Sequence, residues 1–319
     1  MRNFVAERAP SDFSCARIEA IAPEIPYYTK EYRDALMICG KEVWLLGEES
    51  NGNLICGSLG EMEVGRIRKQ LHIQSTPSNA SADFWAGLGR FCRRERVTTL
   101  SLGTIGTNPE IPKIGRVLSE KDRCEFWVDL QVSDIEMTFR PQQRRVLRKA
   151  KRKGLEVRIP DPSSGLDVHN FLTRHSLRRR RARGENIPLF DDSDLPLALL
   201  DVGAARIYEC VLDGDVLGSV IISVAEKGAH GYSAGYSEAG MKLGAAVFLS
   251  EATFQSLKVD GKSVFNLGDA PRDSGLAVFK RGLGAALHES HARVFDTAGP
   301  IRSAVLTAYS SLSRVRNRS

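Results

Sequence analysis

The sequence predicts an α+β protein made of two similar units in tandem. A chain of 319 residues has room for about two domains. One order of elements, strand hairpin, helix, strand, occurs twice along it. The repeats keep near-equal offsets, since Gly214 follows Gly52 at the hairpin turns by 162 residues and Gly268 follows Gly103 at two strand-ending Leu-Gly pairs by 165.

Taken in order, Glu42–Gly47 (EVWLLG) reads as a strand, Asn51-Gly52-Asn53 as a turn and Leu54–Ser58 as the returning strand. A helical pattern spans Ala82 to Arg96, with Phe84, Leu88, Phe91 and Cys92 on one stripe. It leads into a strand at Thr98–Leu102 that stops at Gly103. In the second half, strands at Ala205–Leu212 and Val216–Val224 flank Asp213-Gly214-Asp215, and a third strand follows at His230–Tyr236. A helix over Gly244–Leu257 and a strand at Ser263–Leu267 complete the repeat. The expected division is therefore a first domain over 1–135 and a second over 136–298. The segment 299–319 carries Ile301, Val305, Leu306, Tyr309 and Leu312 at helical spacing and is expected to pack back on the first domain.

The net charge of +6 is unevenly placed. Between Arg140 and Arg183 there are 15 Lys and Arg against three acids, so this segment is +12 and the remainder −6. Pro141 and Gly154 bracket one helix, Gln142–Lys153, with Arg144, Arg145, Arg148, Lys149, Lys151, Arg152 and Lys153 around a narrow stripe of Val146, Leu147 and Ala150. A second helix, Leu166–Arg183, gathers Arg178, Arg179, Arg180 and Arg181 at its end before Gly184 and Pro188. Two readings stand level: solvated helix faces that complement the helix dipole, or a site for the phosphates of a polyanion. Few aromatics interleave with the arginines, which favours backbone contact over base stacking.

No uninterrupted apolar run reaches the length of a membrane span, and Met1–Pro10 lacks the apolar core of a secretory leader. The six cysteines stand singly, with no CxxC pair, so neither a metal site nor a disulfide framework is expected. Reduced thiols in the cytoplasm fit that pattern.

Two stretches carry candidate chemistry. In SEAGMKLGAAVFL, Gly244 and Ala246 open a helix after a strand, where backbone N–H groups can meet an anion, although small residues at such turns also serve close packing. In FNLGDAPRDSGLAVFKRGLGA a strand ends at Gly268, a polar loop follows with Asp269, and a short helix delivers Phe279 and Lys280. A lysine so placed either stabilises an oxyanion or phosphate in the cleft at the strand's carboxyl end, or lies exposed on an amphipathic turn. Tyr232 and Tyr236 share a face of the third strand and, with Asp269, are candidates to assist proton removal.

The order of strands with the MKLGAA turn resembles the GNAT acyltransferase fold, whose signature there is Gln or Arg, two residues, Gly, one residue, then Gly or Ala. The glycine and alanine match at Gly244 and Ala246, while the leading position is Met241. The FNLG…GLAVFKRGLG and RRVLRKAKRKGLEVRI segments further resemble the Fem family of aminoacyl-tRNA-dependent peptidyltransferases. That resemblance implies two GNAT-like domains in tandem, a catalytic role for Lys280 in supporting the acyl ester, and a pocket lined by Phe279. It also implies aminoacyl-tRNA as co-substrate, with no tightly bound cofactor, and an amine-bearing peptide, cell-wall or natural-product acceptor. The alternative within the same fold is an acyl-CoA donor acting on a sugar amine, amino acid or lipid precursor.

Overall fold

The computed structural model describes residues 2–182 and 194–299, with side chains given except at 179–182. In chain order the elements begin with β1 (Arg2–Arg8), α1 (Asp12–Ile21), a 3₁₀ turn at Pro26–Tyr28, α2 (Lys30–Ile38), β2 (Glu42–Ser50) and β3 (Asn53–Val64). There follow β4 (Lys69–Ile73), α3 (Ala82–Arg94), β5 (Thr99–Gly103), β6 (Arg116–Asp129), α4 (Ile135–Thr138), α5 (Pro141–Arg152) and β7 (Glu156–Arg158). The remainder comprises α6 (Gly165–Ala182), α7 (Asp194–Asp201), β8 (Ala205–Leu212), β9 (Asp215–Val224), β10 (Gly228–Tyr236), α8 (Glu238–Leu243), α9 (Ala245–Val259), β11 (Val264–Ala270), α10 (Gly275–Gly282) and β12 (Ala286–Asp296).

These elements form two compact units. The first takes residues up to Ile21, Gly40–Arg123 and those from Glu289 onward; the second takes Ala22–Cys39 and Cys124–His288. The division differs from 1–135 and 136–298 for two reasons. Residues 124–129 of β6 pair with β11, which places the boundary inside that strand. Residues 22–39 hydrogen-bond and pack into the second unit, through Lys227 N–H on Pro23 O, Tyr27 on His230, and α2 on α7. A discontinuous unit leaves no local mark in a sequence.

Each unit repeats one topology. In the first, β1, β2, β3 and β4 pair antiparallel in turn, β4 pairs parallel with β5 across α3, and β5 pairs antiparallel with β12. In the second, β7, β8, β9 and β10 pair antiparallel, β10 pairs parallel with β11 across α8 and α9, and β11 pairs antiparallel with β6. Both expected hairpins are present. Asn51 and Gly52 have φ of 51° and 81°, and Asp213 and Gly214 have 51° and 88°, the paired left-handed residues that match a two-residue turn to the twist of its strands.

Apolar side chains at strand and helix period close each core. Trp44, Leu46, Phe84, Leu88 and Phe91 meet in the first unit, and Phe126, Phe139, Leu147, Phe254 and Phe265 in the second. Ser81 caps α3 by accepting from Asp83 and Phe84 N–H, and Ser274 caps α10 by accepting from Ala277 N–H. The helix expected over Gly244–Leu257 begins after a break: Gly244, with φ of 85°, ends α8 and precedes α9. The expected helix at 299–319 and the stop at Gly184 and Pro188 lie outside the described residues.

Candidate active site

β10 and β11 pair only from Gly228–Val264 to His230–Asn266. Beyond that point lies a cavity of ≈ 510 Å³ whose walls include Tyr232 and Tyr236 of β10, Leu267, Gly268 and Asp269 of β11, and Phe279 and Lys280 of α10. Ser250 and Thr253 of α9 line it as well. A space of this size at the carboxyl end of parallel strands, mostly pre-formed and part apolar, suits a small-molecule group.

Lys280 is 7% exposed. Its ammonium donates to the carbonyl oxygens of Gly268 and Asp269, each at 2.9 Å, and stands 5.7 Å from the centre of the Phe126 ring. Ala277 and Lys280, three residues apart, form the buried side of α10, which is why this lysine turns inward. Burial pushes the ammonium down to about 8, against the opposing pull of Asp269 and Glu125. An ammonium has three donors, so two fixed bonds leave one N–H for another partner.

The carbonyls that hold Lys280 come from an irregular stretch of β11. Its register against β6 shifts between Asn266 and Asp269, and Gly268 takes φ of 78°. Asn266 ties this bend on both sides, with Oδ1 accepting from Gly268 N–H at 2.8 Å and Nδ2 donating to Glu125 Oε2 at 2.8 Å. Glu125, 3% exposed, also accepts from Trp127 Nε1 at 3.2 Å. On the β10 side, His230 Nδ1 is 3.0 Å from the hydroxyl of Tyr27. Burial first, and the Lys280 charge second, press His230 down to about 4, so its ring stays neutral at ordinary pH. Burial, with Tyr232, Glu125 and Asp269 nearby, holds the Tyr27 phenol well above its usual range, so it remains a phenol.

Five of the expected site residues meet here: Lys280, Asp269, Tyr236, Phe279 and Gly268 all line the cavity. Gly244 and Ala246 do not. A Cβ on Gly244 would come within 2.6 Å of Val146 Cγ1, so the bare glycine lets α5 pack closely against this turn. Sequence reasoning passed over Tyr27, Glu125, His230 and Asn266. The two polar residues within CEFWV and VFNLG were the available signal, since a polar group in an otherwise buried strand needs a partner.

The basic residues divide. On α5 and at its C-cap, Arg145, Lys149, Arg152 and Lys153 are exposed and make no ion pair among the described residues, and Arg148 donates to Arg144 O. Arg144 leans on the Met137 sulfur, and Lys151 lies 3.4 Å from both Glu136 and Glu251. Arg178 pairs with Glu238 at 2.6 Å, so its charge is locally answered. The side chains of Arg179, Arg180 and Arg181 lie outside the described ones.

Residues 138–281 match the family model of the acetyltransferase (GNAT) domain. This part of the second unit is a GNAT acyltransferase domain. Among solved structures, FemX aligns with a TM-score of 0.67 at 11% identity, covering 89% of this chain and 96% of its own. The tandem GNAT protein from the clavulanic acid biosynthesis pathway gives 0.56 at 13% identity, covering 94% and 99%. The C-terminal domain of a putative lysylphosphatidylglycerol synthetase from Agrobacterium fabrum gives 0.55 at 17% identity, covering 93% and 96%. These likenesses establish a tandem GNAT-like, α+β fold, in line with the duplication that the repeated order of elements predicts and the GNAT-like units that the resemblance implies. No curated protein sequence matches the chain. No described helix is long and apolar enough to cross a membrane, and no group of three or more His, Cys, Asp and Glu among the described residues is placed to hold a metal ion.

Proposed function

We propose that this GNAT acyltransferase moves an aminoacyl group from the 3′ end of a charged tRNA to an amine of a peptide-like, cell-wall or natural-product acceptor. The observation that carries the reading is the Lys280 ammonium, buried at the cavity wall with two donors fixed on Gly268 O and Asp269 O. The third N–H is free to meet the oxygen of an ester carbonyl. As the acceptor amine attacks, the C–N bond forms and negative charge gathers on that oxygen, where a pre-oriented cation is worth most. Collapse then breaks the C–O bond to the tRNA ribose, whose oxygen leaves with a proton. Asp269, or water, takes the proton lost by the amine, and Tyr236 and Phe279 shape the space around the carbonyl.

The donor assignment draws on the resemblance to the Fem family and on the FemX fold. It gains support from the unpaired cations of α5, which suit backbone phosphates. A second reading keeps the site and replaces the donor with acyl-CoA, as the description of the family model favours. Against it stand Met241 at the leading signature position and Val146 over Gly244.

Mass spectrometry of an amine pool incubated with the protein separates them. With charged tRNA we expect an aminoacylated product that RNase abolishes. A product formed from acetyl-CoA and indifferent to RNase would transfer the assignment to the second reading.

A further inference from the structure

We infer that Glu125 and Asn266 are the positioning residues of this site, a buried strut that holds the bend of β11 and thereby aims the Lys280 ammonium. The inference rests on the role given to Lys280 above but not on the identity of the donor. Lys280 takes its direction from two carbonyl oxygens, those of Gly268 and Asp269. Both belong to the stretch where β11 slips against β6 and where Gly268 turns left-handed. A regular strand would alternate its carbonyls to opposite sides and would not present two successive ones to a single cation.

The side chain that fixes this departure is Asn266, 5% exposed, whose Oδ1 takes the Gly268 N–H. Its orientation is set in turn by Glu125, because only the amide nitrogen can donate to the carboxylate. Glu125 stands opposite Asp269 in the β6–β11 register and is itself steadied by Trp127 Nε1.

The strut carries charge as well as geometry. Several titratable groups face Lys280 or the groups around it: Asp269 on β11, Glu125 on β6, His230 on β10, Tyr232 beside it and Tyr27 from the 3₁₀ turn. His230 is neutral and the Tyr27 phenol is protonated, so the negative charge that opposes burial at Lys280 comes from Asp269 and Glu125. Asp269 is exposed, whereas Glu125 is buried and its field is little screened.

The test uses the intact chain with four variants of the strut and two of Lys280. Their readouts are the Lys280 Nζ titration, followed by NMR on ¹⁵N-lysine protein and assigned with Lys280→Arg, and steady-state turnover. Glu125→Gln keeps an acceptor for Asn266 but removes the charge, so the Lys280 titration moves to lower pH by half a unit or more and the alkaline limb of kcat moves with it. Asn266→Ala frees the bend, and kcat falls tenfold or more with KM within twofold.

Asn266→Asp sets two carboxylates against each other and lowers kcat further. The double variant Glu125→Gln with Asn266→Asp exchanges amide and carboxylate across the same hydrogen bond. It should recover at least half of the lost kcat and return the titration toward that of the parent. An unmoved titration in Glu125→Gln, or a double variant no better than Asn266→Asp in a folded protein, overturns the inference. Normal turnover in Lys280→Met, together with a shifted Lys280 titration in Glu125→Gln, would instead remove the catalytic role of Lys280 and leave the strut standing.

Discussion

The Lys280 ammonium lies 2.9 Å from the carbonyl oxygen of Gly268, a residue held at φ of 78° at the end of a strand that has just parted from its parallel neighbour. The glycine has no Cβ to fill this corner. One built there would sit 3.9 Å from the lysine nitrogen and 3.7 Å from His230 Nε2, so the backbone, the cation and the neutral imidazole share one small space. The same irregular stretch of β11 that turns a carbonyl toward Lys280 borders the cavity.

On the proposed role of Lys280, its protonation should govern the alkaline side of activity. Its ammonium is held down to about 8 by burial, and only the charged form can stabilise an oxyanion. Turnover is therefore expected to fall as pH rises through about 8, even though the acceptor amine becomes a better nucleophile there. Lys280→Met should lower kcat by about 10²–10³-fold, the usual effect of removing one such donor. Lys280→Arg, charged throughout, should lose the alkaline limb whatever its absolute rate. A full pH profile of kcat for the three proteins checks this, and an unchanged limb in the arginine variant would count against Lys280 as its source.

Stability should fall on mild acidification because of His230. Its folded value of about 4 lies below the ordinary 6.5, so between those limits the unfolded chain binds a proton that the folded protein excludes. Stability contributed by the neutral ring is present above about pH 6.5, is lost as pH falls toward 4, and amounts to about 3 kcal/mol at most. His230→Gln, able to keep a hydrogen bond to Tyr27, should flatten the loss. Urea unfolding at pH 7 and pH 4.5 for both proteins measures the difference, and parallel losses would dissociate His230 from it.

Gly244 should tolerate no side chain, for reasons of packing. Its φ of 85° already disfavours a Cβ, and Val146 Cγ1 would lie 2.6 Å from one. Gly244→Ala is expected to cost about 1–3 kcal/mol in chemical denaturation. Pairing it with Val146→Ala should recover part of that loss, since the crowding atom is then gone. Recovery of nothing would mean that the backbone angle alone sets the cost.

Much of the fold was legible because it is written at short range. The Asn51-Gly52 and Asp213-Gly214 turns, the apolar stripe of α3, and Pro141 and Gly154 around α5 each fix local geometry through their own chemistry. Lys280 was legible as a candidate at the carboxyl end of a strand, with an exposed position equally open; its shared buried side with Ala277 on a short capped helix decides for burial. The helical pattern from Gly244 was right in kind, but the residue packed against that glycine was out of reach, since Val146 lies about a hundred residues away in sequence. Tyr27 was out of reach for the same reason. It meets His230 across 203 residues, from a segment that local pattern assigns to the other unit.

The exposed cations of α5 should govern the salt dependence of binding and leave the chemistry alone. Arg145, Lys149, Arg152 and Lys153 make no ion pair among the described residues, whereas Lys151 and Arg178 answer nearby carboxylates, so only the first group is free to displace counterions from a polyanion. Each phosphate contact contributes roughly 0.7–0.9 to the slope of log K against log salt. Changing all four to Gln should thus reduce that slope by about 3 and weaken charged-tRNA binding most at low salt. With a minimal aminoacyl-nucleoside donor, which offers few phosphates, kcat should match that of the parent. Filter binding from about 50 to 200 mM salt, beside single-turnover assays with the small donor, measures both. An unchanged slope would return these residues to the status of a solvated helix face, and a lost kcat with the small donor would tie α5 to the reacting centre instead.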